Sequence, residues 1–162
     1  MDVHPTPTPC PHWQTAPLQL APGNAAQAGP PALAWLQALC VQWAVPHKLI
    51  LTIRLCTEEI LTNIATHAHR GDGVAAEVTL RCGQLTNGVG VVICDDGIAF
   101  DPTAQTSPLL ASTLDDAMPG GHGLRLVRHY THSWHYRRKA GLNELLLVFA
   151  YPWPIPVPPH PK

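Results

Sequence analysis

Apolar positions along the chain switch between two periods. From Ala32 to Ala44, Leu33, Leu36, Leu39, Cys40 and Trp43 recur at helical spacing, which predicts a helix after Pro30-Pro31. Pro46 suits the first turn of a second helix, which the spacing carries to about His69. Its apolar stripe is Ile50, Ile53, Ile60 and Ile64, flanked by Leu49, Leu61 and Ala68, and Gly71-Asp72-Gly73 ends it. The period then shortens. Val74 to Arg81 and Val89 to Cys94 read as two β-strands joined at Asn87-Gly88, a hairpin signal. From Ile98 to Pro119 the chain is irregular and polar, with room for one helical turn between Pro108 and Asp116. Gly120-Gly121-His122-Gly123 opens a third helix from Leu124 to about Thr131. Strands from Ser133 to Arg138 and from Glu144 to Ala150 follow, with Ala140-Gly141 between them. A short strand at Leu18-Gln19-Leu20 completes the order β, α, α, β, β, loop, α, β, β. That order predicts an α+β fold, a two-layer sandwich in which helices cover one face of a mixed sheet.

Composition narrows the class. The chain has 162 residues, 46% hydrophobic and 13% charged, with a formal net charge of −1. This fits one domain with loose ends and gives no basic surface for nucleic acid. No apolar run approaches the roughly 20 residues of a membrane span, and the first residues lack a secretory signal pattern. Ten of the eighteen prolines cluster between Pro5 and Pro11 and between Pro152 and Pro161, so residues 1–17 and 152–162 are expected to be flexible and 18–151 to form the domain. Five cysteines at wide spacing, with no CxxC, read as reduced thiols that pack a core in a cytoplasmic protein.

Three local patterns carry candidate chemistry. Glu59, Asn63 and His67 fall four apart on the second helix. At about 100° per residue, Glu59 lies only ~40° around the axis from Asn63, whereas Glu58 lies ~140° away. A carboxylate and a carboxamide on one face can hold a hydrated divalent metal and take a proton from a nucleophile. They are equally the composition of a solvated helix face. Next, Val91-Val92-Ile93-Cys94 ends in Asp95, with Gly97 two residues on. An aspartate at the end of a buried strand can accept a hydrogen bond from an exocyclic amine, and Asp and Gly also end strands in ordinary turns. Third, glycines that open a helix let phosphate oxygens approach backbone N–H groups. The run Gly120 to Gly123 does so without the Gly-Lys-Ser/Thr of a Walker loop.

Taken together and in this order, the three segments resemble the N, G1 and G2 boxes of the GHKL ATPases, which include gyrase, Hsp90, histidine kinases and MutL. TEEILTNIATHA, VVICDDGIAFDP and GGHGLRLVRHYTHSWHYRRKAGLNELLLVF are most similar to the anti-sigma-factor serine/threonine kinases of the RsbW/SpoIIAB type. The resemblance spans roughly Leu18 to Tyr151. It implies ATP and Mg2+ as cofactors, with Asn63 as the magnesium ligand and Glu59 as the general base. It implies Asp95 as acceptor of the adenine amino group, Gly97 as room beside the ring, and Gly121, Gly123 and Leu124 around the phosphates. The loop from Ile98 to Pro119 becomes the ATP lid, and His67 a structural member of the N box. The implied activity is phosphorylation of a serine on a STAS-domain antagonist, in a scheme where the kinase alternately holds that antagonist or a sigma factor. Homodimers are frequent in that family. Two positions depart from its pattern: Ala99 replaces a second glycine, and His132 stands where an aspartate often follows the third helix. These departures keep open a non-catalytic nucleotide-binding module. A histidine-kinase catalytic domain is a further alternative, against which stands the lack of an upstream phosphoacceptor helix pair. His129, His132 and His135 fall three apart, but the helix is predicted to end among them, so a shared metal-binding face is not expected.

Overall fold

A computed structural model describes residues 13–20, 25–67, 76–105 and 121–153. Among the described residues, five strands form one sheet: β1 (Gln14–Leu20), β2 (Ala76–Leu85), β3 (Gly88–Asp95), β4 (Ser133–Lys139) and β5 (Leu142–Ala150), in the order β1-β2-β3-β5-β4. Three helices accompany them there: α1 (Ala25–Gln42), α2 (His47–His67) and α3 (Gly121–Tyr130), with a 3-10 turn at Pro102–Ala104. The α+β class and the helical layer are as the sequence predicts. The sheet is not mixed, however: every strand pairing is antiparallel. The connections explain this. Two helices, α1 and α2, link β1 to β2, and a helical hairpin returns the chain antiparallel. The single helix α3 does bring β4 back in the direction of β3, but β5 inserts between them.

The core lies between α2 and one sheet face. Ile50, Ile53, Cys56, Ile60, Leu61 and Ile64 form the buried stripe of α2, as their spacing predicts. Alternate residues Val78, Leu80 and Cys82, Val89, Val91 and Ile93, and Leu145, Leu147 and Phe149 meet it from three strands. Cys40, Cys56 and Cys82 are buried free thiols, as expected of core cysteines, and Cys94 is half-buried. Burial, reinforced by the nearby Glu59 carboxylate, pushes the Cys56 thiol up to about 12.

Several boundaries differ from the periodicity. The first helix starts at Ala25 and runs through Pro30 and Pro31 rather than after them. Each proline removes one intrahelical hydrogen bond, yet the early turns persist because the following residues Ala32, Leu33 and Leu36 are buried. β1 starts at Gln14, not Leu18, and carries Pro17 opposite Thr79; an edge strand tolerates the missing N–H. Ahead of it, Trp13 lies over the glycine pair Gly83 and Gly90, where any Cβ would strike the indole, and Arg81 sits 5.8 Å from its ring. The β2–β3 hairpin turns at Thr86-Asn87, one residue before the Asn-Gly signal. Gly88 is needed for a different reason, since a Cβ there would collide with the Phe149 carbonyl. The turn expected between Pro108 and Asp116 lies outside the described residues.

Between β4 and β5, Ala140 (φ 51°) and Gly141 (φ 78°) form a two-residue loop with both residues left-handed. That geometry suits Asn-Gly and strains alanine by about 1 kcal/mol. Ala140→Asn is therefore expected to raise the melting temperature by roughly 3 °C, read by thermal denaturation.

Candidate nucleotide site

The chain brings the second helix and the end of the central strand together around one open cavity. Ile60 and Ile64 of α2 face Ile93 of β3 and Leu145 of β5 across it, giving apolar walls. Asn63 and Asp95, paired only by motif in the sequence, both line it. His67 and Phe100 stack at its side, ring centroids 6.4 Å apart and 24° from coplanar.

The two adjacent aspartates do different work. Asp96 turns away: its Oδ1 accepts the Glu77 N–H at 2.9 Å and ties β3 to the start of β2. Asp95 has the parity of Ile93 and Val91 and so points to the helical side, where it is buried. Its Oδ1 accepts from the Gly97 N–H and from Asn143 Nδ2, each at 3.0 Å; Oδ2 takes neither bond. Burial pushes the Asp95 carboxyl above its ordinary value, and the bonds from Asn143 and Gly97 hold it partly back. A buried acceptor beside apolar walls suits a flat heterocycle that bears an amino group.

Gly97 is thus placed beneath Asp95 rather than in the cavity wall. Asp101, two residues beyond Ala99, caps the 3-10 turn through the Thr103 N–H (2.9 Å). Of the segment expected to form the lid, the structure describes residues as far as Gln105, whose carbonyl accepts from Arg128 Nη2 at 2.9 Å.

Glu59 and Gly123 meet directly. A Cβ on Gly123 would overlap the Glu59 carboxylate, so the glycine lets α3 close on α2 with the carboxylate against its first turn. Gly121 begins that helix, and Leu124 packs against the core. The acid of α2 therefore stands at a helix N-terminus, where backbone N–H groups and the helix dipole favour anions. Glu59 lies one turn from Asn63, and so one turn from the cavity. Gly123→Ala is expected to leave the fold intact, because only the flexible end of Glu59 need move. With Glu59 as the base that the family resemblance implies, a displacement of about 1 Å costs on the order of a hundredfold in rate, and phosphotransfer should fall by that much. Comparing the variant's melting curve with its transfer rate separates the two effects.

Sequence reasoning missed Asn143, Tyr136 and Arg138. The Asn143 carboxamide oxygen accepts from Tyr136 Oη (2.7 Å) and Arg138 Nη1 (2.9 Å), and Arg138 Nη1 also donates to the Gly97 carbonyl (3.1 Å). The signal was an asparagine at an inward-facing position of a largely apolar strand, LNELLLVFA. His129, His132 and His135 form no three-ligand group, and none occurs among the described residues.

A nucleotide fits this arrangement. The cavity offers apolar walls and a buried acceptor, and the Glu59 carboxylate stands against the first turn of α3 one helical turn from Asn63. Magnesium fits as an ion that keeps waters and phosphate oxygens and takes few protein ligands, with Asn63 available as one.

Over 118 residues the chain is 45% identical to the serine/threonine-protein kinase BtrW of Bordetella bronchiseptica, covering 72% of this chain and 82% of that one. Over 101 residues it is 26% identical to the serine-protein kinase RsbW of Bacillus licheniformis, covering 60% and 63%. Residues 21–149 match the histidine kinase-like ATPase domain, and the chain belongs to that family.

Proposed function

We propose that the protein is an ATP-dependent serine/threonine protein kinase of the anti-sigma-factor type, acting on a STAS-domain antagonist in a partner-switching pathway. The observation that carries this reading is the Glu59 carboxylate seated against Gly123, one helical turn from Asn63 at the cavity. A domain that only bound nucleotide would have no use for a base at that point. The names of the two relatives, both serine kinases, support the same activity.

In this reading the adenine amino group donates to Asp95, and the base lies between the apolar walls formed by Ile60, Ile64, Ile93 and Leu145. The phosphates extend toward the start of α3, where Gly121, Gly123 and Leu124 present backbone. Magnesium, held in part by Asn63, supplies neutralisation of phosphate charge. A serine hydroxyl of the antagonist attacks the γ-phosphorus. Its proton passes to Glu59, the bond to the β-phosphate oxygen breaks, and ADP leaves. The pathway assigns the other partner as a sigma factor and the compartment as the cytoplasm. No helix among the described residues is long and apolar enough to cross a membrane.

Two measurements test this. Mg-ATP at 100 times its dissociation constant adds about 2.7 kcal/mol, and so should raise the melting temperature by roughly 8 °C. Incubation with γ-labelled ATP and STAS-domain proteins of the same genome should then yield a phosphoserine. A melting shift without transfer to any of them would put the nucleotide-binding module in place of the kinase. No shift at all would remove the ATP site.

A further inference from the structure

We propose that Asn143 is the positioning residue for adenine recognition: it fixes Asp95 and the loop behind it, leaving one carboxylate oxygen to the base. The proposal rests on the reading that Asp95 accepts the adenine amino group.

The sheet register sets Asn143 of β5 opposite Asp95 of β3. Both are buried. The Asn143 carboxamide uses both of its ends. Nδ2 donates to Asp95 Oδ1 at 3.0 Å and to the Ile98 carbonyl at 2.8 Å. Oδ1 accepts from Tyr136 Oη at 2.7 Å, from Arg138 Nη1 at 2.9 Å and from the Phe100 N–H at 3.4 Å. This pattern fixes the orientation of the amide. Turned over, its NH2 would face three donors and its oxygen two acceptors.

Two consequences follow. Asn143 and Tyr136 both line the cavity, but Asn143 has no hydrogen left for a ligand, so its polar contribution runs through Asp95 rather than directly to the nucleotide. It also binds Ile98 and Phe100 at once, so the segment that leaves the cavity toward the lid is held by the same side chain. Arg138, bridging the Gly97 carbonyl and Asn143 Oδ1, closes the loop from the third side. Asp95 Oδ1 is consumed by Gly97 and Asn143, and this sets its carboxylate plane. A buried asparagine serving only the fold would satisfy backbone groups equally well. It would not, however, control how Asp95 titrates or which base the site prefers.

The ionisable groups facing Asp95 are Asp96 beside it, Arg138 and the Tyr136 phenol from β4, and His67 across the cavity from α2. Hydrogen bonds to a carboxylate favour its charged form, so loss of the Asn143 donor should raise the pH at which Asp95 titrates.

The test compares Asn143→Leu and Tyr136→Phe with the unmutated protein. NMR follows the Asp95 carboxyl through a pH titration without nucleotide, and ATP and GTP affinities are then measured. In Asn143→Leu, Asp95 should titrate at higher pH and the preference for ATP over GTP should fall by about tenfold or more. Tyr136→Phe loses one donor to Asn143 and should shift both readouts in the same direction by less. Should Asn143→Leu fail to fold, Tyr136→Phe decides alone. An unchanged Asp95 titration with an unchanged ATP:GTP ratio in the folded variants overturns the proposal. If instead the unmutated protein binds no ATP, or Asp95→Asn binds it undiminished, the adenine reading fails. The nucleotide-free titration still decides the role of Asn143 toward Asp95.

Discussion

The Glu59→Gln protein is expected to bind ATP within a few-fold of the unmutated affinity and to lose about a hundred- to ten-thousandfold in phosphotransfer. The substitution keeps the shape that packs against Gly123 and removes only the proton acceptor. Glu58→Gln is the control. Glu58 is exposed and lies on another side of α2, so its variant should transfer at the normal rate. Asn63→Ala should weaken magnesium-dependent binding and transfer together, because its carboxamide lines the cavity itself. Binding by calorimetry and single-turnover transfer, run on the three variants, separate these outcomes. Normal transfer by Glu59→Gln would show that the carboxylate only packs α3 against α2.

Replacing Asp95 should cost the most in affinity. Asp95→Asn retains an oxygen for Gly97 and Asn143 but loses the charged acceptor; a hydrogen bond to a charged group is worth roughly 1.5–3 kcal/mol, or about ten- to a hundredfold in affinity. The pH dependence has a definite sign. Burial raises the Asp95 carboxyl above its unfolded value, so the folded protein holds this proton more tightly. The group's contribution to stability is then full below the unfolded value and is lost as pH rises through the folded one. At neutral pH the buried charge is a cost to the fold, and Asp95→Asn should melt at or above the unmutated temperature while binding ATP poorly. Adenine-nucleotide affinity should fall as pH drops through the raised value, because the protonated carboxyl no longer offers a charged acceptor. A variant that melts lower and binds ATP normally would mean that Asp95 serves the strand end alone.

Much of this was legible in the chain because it is local. The stripe of α2 follows from the spacing of Ile50, Ile53, Ile60 and Ile64, and the choice of Glu59 over Glu58 from the helical angle. Asp95 over Asp96 follows from motif position, and the alternation of β3 agrees with it. What stayed hidden was set by pairing between distant segments. Asn143 becomes a partner of Asp95 only through the register of β5 on β3, and β5 reaches that place by inserting between two strands that run the same way. Tyr136 and Arg138 belong to SWHYRRK, which reads as a polar edge strand with no motif. The prolines of α1 and Pro17 of β1 masked elements that burial and edge position tolerate. Gly88 was read for its turn, whereas it serves a close approach to Phe149.

The order of strands has an evolutionary consequence. All chain between Asp95 and Gly121 is one excursion whose two ends are pinned, by β3 within the sheet and by α3 against Glu59. The entropy of closing such an excursion grows only logarithmically, about 0.6 kcal/mol for each doubling of its length. Insertions there would leave the pairing of β3 with β5 untouched. The length and composition of this excursion can therefore drift, or be engineered, as a trait inherited separately from the stability of the domain.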